Sequence, residues 1–212
     1  MTEDEMHDSP FKYPSDVVFT PSVKSLQERY GSRKAYARLE EEGSWHTLIT
    51  PDSAEFIRRQ TSVFFSTANE DGQPYIQHRG GPPGFLHVIN EKRIAFADFS
   101  GNKQYITTGN LADNRKAFLF LIDYARRRRI KIWGEAHVSE DAALIATLMP
   151  EGYRARAERA IVFDVSLWDA NCPKHIPQRF EAADVEAALE ERDERIRELE
   201  AEVERLRRGV AG

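Results

Sequence analysis

Two pairs of strand-like runs in this chain are joined by turns too short to hold a helix, and that limits the possible folds more than any other feature. Ser62 to Ala68 is rich in β-formers, and Asn69-Glu70-Asp71-Gly72, with its Asp-Gly turn, leads from it into Pro74 to His78. Phe85 to Asn90 and Arg93 to Asp98 flank Glu91-Lys92 in the same way. Parallel neighbours need a long crossover, so runs joined this tightly pair antiparallel. Three further runs extend the sheet. Ala117 to Ile122 is apolar on both faces, as expected of a strand enclosed in a core. From Ile130 the alternation puts Ile130, Ile132, Gly134, Ala136 and Val138 on one side and Lys131, Trp133, Glu135 and His137 on the other. Arg159 to Trp168 alternates again, with Ile161, Phe163, Val165 and Leu167 inward. The pattern predicts a mainly β chain with flanking helices (α+β), built on a six-stranded antiparallel split β-barrel.

The helical segments lie around these runs. Apolar spacing predicts helix over Ser22 to Glu42 with an interruption at Gly31, and a second helix starting near Thr50-Pro51-Asp52 and reaching Gln60. Lys103 to Asn114 reads as a short helix or irregular crossing, and Glu140 to Met149 as a helix stopped by Pro150. From Val185 the residues Val185, Leu189, Arg192, Ile196, Leu199, Val203, Leu206 and Val210 follow a four-three repeat, a heptad seam with one polar member. Glu191 with Arg195, Asp193 with Arg197 and Glu204 with Arg208 are expected to pair along its flanks. The alternative is a solvated single helix held by such pairs. The chain thus divides into an N-terminal extension (1–50), a barrel domain (51–179) and a C-terminal, coiled-coil-like helix (180–212).

Composition removes several classes. With 212 residues, 41% of them hydrophobic, the chain can fill one core and bury about 70% of its unfolded surface. A net charge of −5 argues against general nucleic-acid binding. The apolar run Ala117 to Ile122 is far too short to span a bilayer, and the acidic start MTEDEMHDSP is not a secretory signal. The single cysteine, Cys172, excludes an internal disulfide. These features predict a cytoplasmic protein without membrane or nucleic-acid partners.

Two clusters carry the candidate chemistry. Gln77-His78-Arg79-Gly80-Gly81 runs into Pro82-Pro83-Gly84, where three glycines and two prolines bend the backbone for a close approach. Ser100-Gly101-Asn102-Lys103-Gln104 places a glycine turn and a lysine before a helix start, where free N–H donors and positive charge suit an anion. Folding back of the intervening hairpin would bring Arg79 and Lys103 together on one phosphate, the arginine as a planar fork and the lysine as a point charge. Two unrelated surface charges are the plainer reading. His78, His87 and His137 have no metal-ligand spacing. Arg126 to Arg129 reads as a solvated hairpin end, with attraction of an anionic substrate or pyridine nucleotide as the lesser alternative.

The succession of QHRGG, FADFSGNKQY and WDANCPKHI (Trp168 to Ile176) resembles the pyridoxamine 5'-phosphate oxidase-like family of flavin-binding split barrels, over about Asp52 to Arg179. That resemblance implies a homodimer with FMN in a groove at the subunit interface, acting on a small-molecule substrate with NAD(P)H or another reductant feeding the flavin. It assigns Arg79 to the first basic position and Asn102, Lys103 and Gln104 to the second. Trp168, Asn171, Cys172 and His175 correspond to a late segment reaching the flavin. His78 and His175 are the candidates nearest the ring. The insert from Gly80 to Gly84 replaces a plain strand, and no C-terminal arginine and histidine pair for a substrate phosphate follows. The resemblance therefore supports flavin binding well and oxidation of pyridoxamine phosphate poorly. A non-catalytic flavin-binding or sensor protein with an interaction tail is the alternative.

Overall fold

The computed structural model describes residues 12–171 and 174–210. Two compact units result, residues 1–122 with 129–172, and residues 123–128 with 173–212.

The first unit opens with a 3₁₀ turn (Pro14–Val17), then α1 (Pro21–Arg29) and α2 (Arg33–Glu41), with the expected break at Gly31, whose φ is +77°. Buried Glu40 ties these pieces together: it accepts from Ser15 Oγ at 2.9 Å and pairs with Arg33. α3 (Pro51–Arg59) begins where the sequence places it. Thr50 and Ser53 cap each other reciprocally, Pro51 occupies the first helical position, and Ala54, Phe56 and Ile57 face the core.

Among the described residues seven strands follow: β1 (Ser62–Ala68), β2 (Pro74–Gly80), β3 (His87–Asn90), β4 (Arg93–Phe99), β5 (Lys116–Asp123), β6 (Arg128–Ser139) and β7 (Ala157–Asn171). They form one sheet in the order β2-β1-β5-β6-β7-β4-β3. The antiparallel split-barrel class expected from the hairpins is what forms, with seven strands where six were expected. α4 (Ile106–Asp113) links β4 to β5, and α5 (Ala142–Leu148) links β6 to β7. The main core includes Val63, Phe65, Ile94, Phe96, Ile130, Ile132, Ile161 and Phe163. A smaller cluster of Ala95, Ala97, Ala160, Val162 and Leu148 packs with partly buried α5 residues such as Leu144 and Ile145.

Two local expectations are corrected. Phe85 and Leu86, expected to open a strand, precede it; both are buried in the loop after Gly84, so their apolar character reflects core filling and not pairing. In β7 the register against β6 slips between Trp133 and Gly134, which face Leu167 and Val165. Ser166 is the extra residue of a β-bulge, so Trp168, opposite Ile132, joins the main core cluster, while Leu167, opposite Trp133, is fully buried as expected.

In the second unit Arg179 lies over the Tyr124 ring at 4.7 Å, and Gln178 Nε2 donates to the Ala125 carbonyl at 2.9 Å. α6 (Ala182–Val210) supplies the rest. Its flank pairing differs in part from expectation. Glu204 and Arg208 pair at 3.0 Å, but Arg195 takes Glu198 in place of Glu191, and Arg197 Nε donates to the Asp193 backbone carbonyl. Residues three apart are neighbours on a helix as much as residues four apart, so Arg195 has two possible mates. Among the described residues no helix is long and apolar enough to cross a membrane.

Candidate functional site

β2 pairs with β1 so that Arg79, Gln77 and Tyr75 lie opposite Val63, Phe65 and Thr67. Directly opposed residues share a face, so the three polar β2 side chains occupy the barrel's inner side near its edge. On β4 the inward row Ile94, Phe96 continues to Asp98, and on β7 Phe163, Ile161 continues to Arg159, which is paired with Asp98 in the ladder. The polar ends of these rows converge with the loop before α4. They line a cavity of about 180 Å³, bounded by Tyr75, Gln77, Arg79, Asp98, Gly101 to Thr108, Glu158 and Arg159.

Charge is unevenly shared around this cavity. Arg79 Nη1 stands 2.7 Å from Asp98 Oδ1, and Arg159 Nη1 stands 3.7 Å from Oδ2. Arg159 Nη2 also reaches Glu158 at 3.3 Å, and its guanidinium lies 5.2 Å from the Tyr105 ring. Burial holds the Asp98 carboxyl above the usual carboxylate range; Arg79 and Arg159 oppose the rise and Glu158 adds to it. Arg79 Nε is buried and has no acceptor among the described residues, and Lys103 has no ion-pair partner among them. Three cations therefore face two carboxylates.

Backbone strain shapes the loop. Lys103 and Tyr105 have φ of +58° and +56°, a left-handed conformation costly for residues with a Cβ. Asn102 Oδ1 accepts from the Gln104 N–H at 3.2 Å and braces the segment, while Thr107 Oγ1 donates to Gln77 Oε1 at 3.1 Å.

Of the residues singled out in the sequence, Gln77, Arg79, Gly101, Asn102, Lys103 and Gln104 line this one cavity. Others lie elsewhere. His78 alternates to the opposite face of β2, where its Nε2 is 2.7 Å from Ser62 Oγ. Gly80 and Gly81 serve packing: a Cβ on Gly81 would stand 2.7 Å from Phe85 Cβ, and the Gly81 N–H donates to the Thr61 carbonyl. Ser100 is exposed at the loop start, its N–H on the Arg156 carbonyl. Trp168 is buried, stacks on His46 at 4.4 Å and donates from Nε1 to the Leu48 carbonyl at 2.8 Å. Asn171 ends β7, and Cys172 lies outside the described residues. His175, exposed with φ of +64°, belongs to the second unit.

Sequence reasoning missed Asp98, Glu158 and Arg159. The signal for two of them was present: a charge continuing an inward row of apolar residues, as Asp98 follows Phe96 and Arg159 precedes Ile161, has to meet a partner or a ligand.

No curated protein matches the chain. Among solved structures it is similar to HupZ of Group A Streptococcus, at 16% identity and a TM-score of 0.49, covering 62% of this chain and 99% of that one. An FMN-binding protein from Syntrophomonas wolfei subsp. wolfei matches at 13% identity and 0.45, over 71% and 97%. A protein of the pyridoxinephosphate oxidase family from Clostridium acetobutylicum matches at 16% and 0.43, over 63% and 94%. The family model described as pyridoxamine 5'-phosphate oxidase matches residues 49–172, more than half of the chain, and the chain belongs to that family.

Proposed function

We propose that the chain is an FMN-binding oxidoreductase acting on a small molecule, working in the cytoplasm as a homodimer with flavin at the subunit interface and NAD(P)H as reductant. The barrel domain at 51–179 carries the cofactor in this reading, with 1–50 and 180–212 as appendages. The observation that carries it is the excess of positive charge around one cavity, with Lys103 unpaired among the described residues and Arg79 Nε unmatched. A flavin phosphate brings close to two negative charges at neutral pH, and charge-assisted donors recognise it best.

Arg79, Arg159 and Lys103 would hold that phosphate, with Gln77 and Thr107 as neutral partners beside it. The flavin, when bound, supplies the path for hydride or electrons. The chain's own work is to bind and orient. Arg79 is kept in place by Asp98, and the αL backbone at Lys103 and Tyr105 shapes the loop that brings Lys103 to the cavity. No side chain is needed as proton donor or acceptor for this role.

The test is the absorption spectrum of freshly purified protein, followed by FMN titration and by NAD(P)H oxidation with quinone or nitro acceptors. Yellow protein, or saturable FMN uptake with turnover, supports the proposal. Colourless protein that takes up no FMN overturns it. The exposed apolar seam of α6 favours a second reading, a flavin-binding sensor with an interaction tail. FMN uptake without turnover by any reductant supports that one.

A further inference from the structure

Six apolar residues of α6, Val185, Leu189, Ile196, Leu199, Val203 and Leu206, are between 44% and 56% exposed although they line one stripe of the helix. A 29-residue helix with such a stripe gains little from its own chain, and most helical stability in proteins comes from covering that face. We infer that α6 pairs with α6 of a second copy of this chain, parallel and in register, as a two-stranded coiled coil.

Seam chemistry and charge both select that occupant. In the two heptads of the helix's C-terminal half, Ile196 with Leu199 and Val203 with Leu206 put a β-branched residue at one seam position and leucine at the other, the combination that favours two parallel strands; Leu189 and Val185, in the N-terminal half, reverse the two types. Arg192 is the polar seam member. Its stem can lie along the stripe with the guanidinium in water, so the polar member costs the seam some stability without stranding a buried charge. The flanks then match. In a parallel, in-register pair Arg195 faces Glu200 of the second copy and Glu202 faces Arg207, each contact formed twice by symmetry. Within one chain Arg195 is paired with Glu198 at 2.8 Å and Glu202 with Arg205. Glu200 and Arg207 take no ion pair among the described residues, so both flank positions that would receive the second copy's charges stand open.

This inference is independent of what the cavity binds, and its test uses neither flavin nor turnover. Val185→Cys and Leu206→Cys are made separately in the full chain, oxidised gently, and the linked peptides identified by mass spectrometry. The parent chain, with Cys172 alone, is the control. Parallel in-register pairing links each new thiol to its own copy at both positions. An antiparallel pair brings at most one seam position opposite itself, so a self-link at one position only, or at neither, overturns the inference. Charge reversal gives a second readout at an exposed site. Glu200→Arg in the Leu206→Cys chain lowers the linked yield roughly tenfold, and adding Arg195→Glu restores it, because attractive flank contacts become repulsive and then attractive again. A yield indifferent to both changes also overturns it.

Discussion

Asp98 takes Arg79 on one carboxylate oxygen at 2.7 Å and faces Arg159 with the other, so the carboxylate competes with any anion that enters the cavity. Asp98→Asn keeps an acceptor for Arg79 and removes the competing charge. A charge pair a few ångströms apart near a protein surface is worth about 1 to 3 kcal/mol after screening. The variant is expected to bind FMN tighter by that order, read by titration of flavin fluorescence. Weaker binding would mean that Asp98 acts chiefly by holding Arg79 in position.

The same carboxyl sets a pH dependence. Its folded value lies above the ordinary 3.8 because burial disfavours the charged form, so the folded chain holds this proton to higher pH than the unfolded chain does. Stability from Asp98 is fully present below 3.8 and is lost as pH rises through the raised value. Asp98→Asn has no such loss. The parent's melting temperature relative to the variant's is therefore expected to decline from pH 3.5 to 6, and a difference independent of pH would show that the two arginines cancel the burial.

Lys103 and Arg159 should contribute to anion binding in different ways. Lys103 has no ion-pair partner among the described residues, so Lys103→Ala leaves no buried charge stranded and is expected to weaken FMN binding by about 1 to 3 kcal/mol with stability unchanged. Arg159 shares Asp98 and Glu158, so Arg159→Ala is expected to lower both FMN affinity and the denaturation midpoint. Unchanged affinity in both variants would put the phosphate elsewhere.

Much of the fold was legible because it rests on local chemistry. The Asp-Gly turn ends with Gly72 at φ +83°, and the Thr50-Pro51 start of α3 forms the cap its residues allow. What escaped notice depends on distant partners. Period-two counting buries Leu167 but leaves Trp168 outside, and only the bulge at Ser166, opposite the Trp133–Gly134 step of β6, brings Trp168 into the core cluster. Arg79 and Lys103 could be paired from their hairpin, since both approach from consecutive segments. Arg159 comes from a strand eighty residues beyond Arg79, and only the β4–β7 ladder brings it to Asp98. The contacts of Trp168 with His46 and Leu48 come from a segment without regular structure, which offers no pattern to match in the sequence.

His87 offers a separate test of the outer layer. It lies on β3 opposite Ala95, which packs with α5, and its Nε2 is buried without an acceptor among the described residues. Burial lowers its affinity for a proton below the ordinary 6.5, although the Leu148 backbone favours the charged form. The unfolded chain then protonates first, so stability from neutral His87 is present above 6.5 and is lost as pH falls from there through the folded value. His87→Phe is expected to remove that part of the acid sensitivity, measured as urea midpoints at pH 8 and pH 5. Equal acid sensitivity in parent and variant would assign the effect to other groups.

Gly134 is the position where sheet geometry leaves least room. A Cβ there would stand 2.0 Å from the Asp164 carbonyl oxygen and under 3 Å from the Phe163 ring, and the carbonyl belongs to the paired strand, so it cannot turn aside as a side chain would. Overpacking of this kind costs about 1 to 3 kcal/mol or more. Gly134→Ala is expected to lose at least that much in a denaturant titration. At Gly101 the nearest atom to an added Cβ is 4.0 Å away, so Gly101→Ala is expected to leave the midpoint in place. If both variants unfold with the parent, the close approach of β6 and β7 at the bulge is not what holds the register, and the inward placement of Trp168 needs another cause.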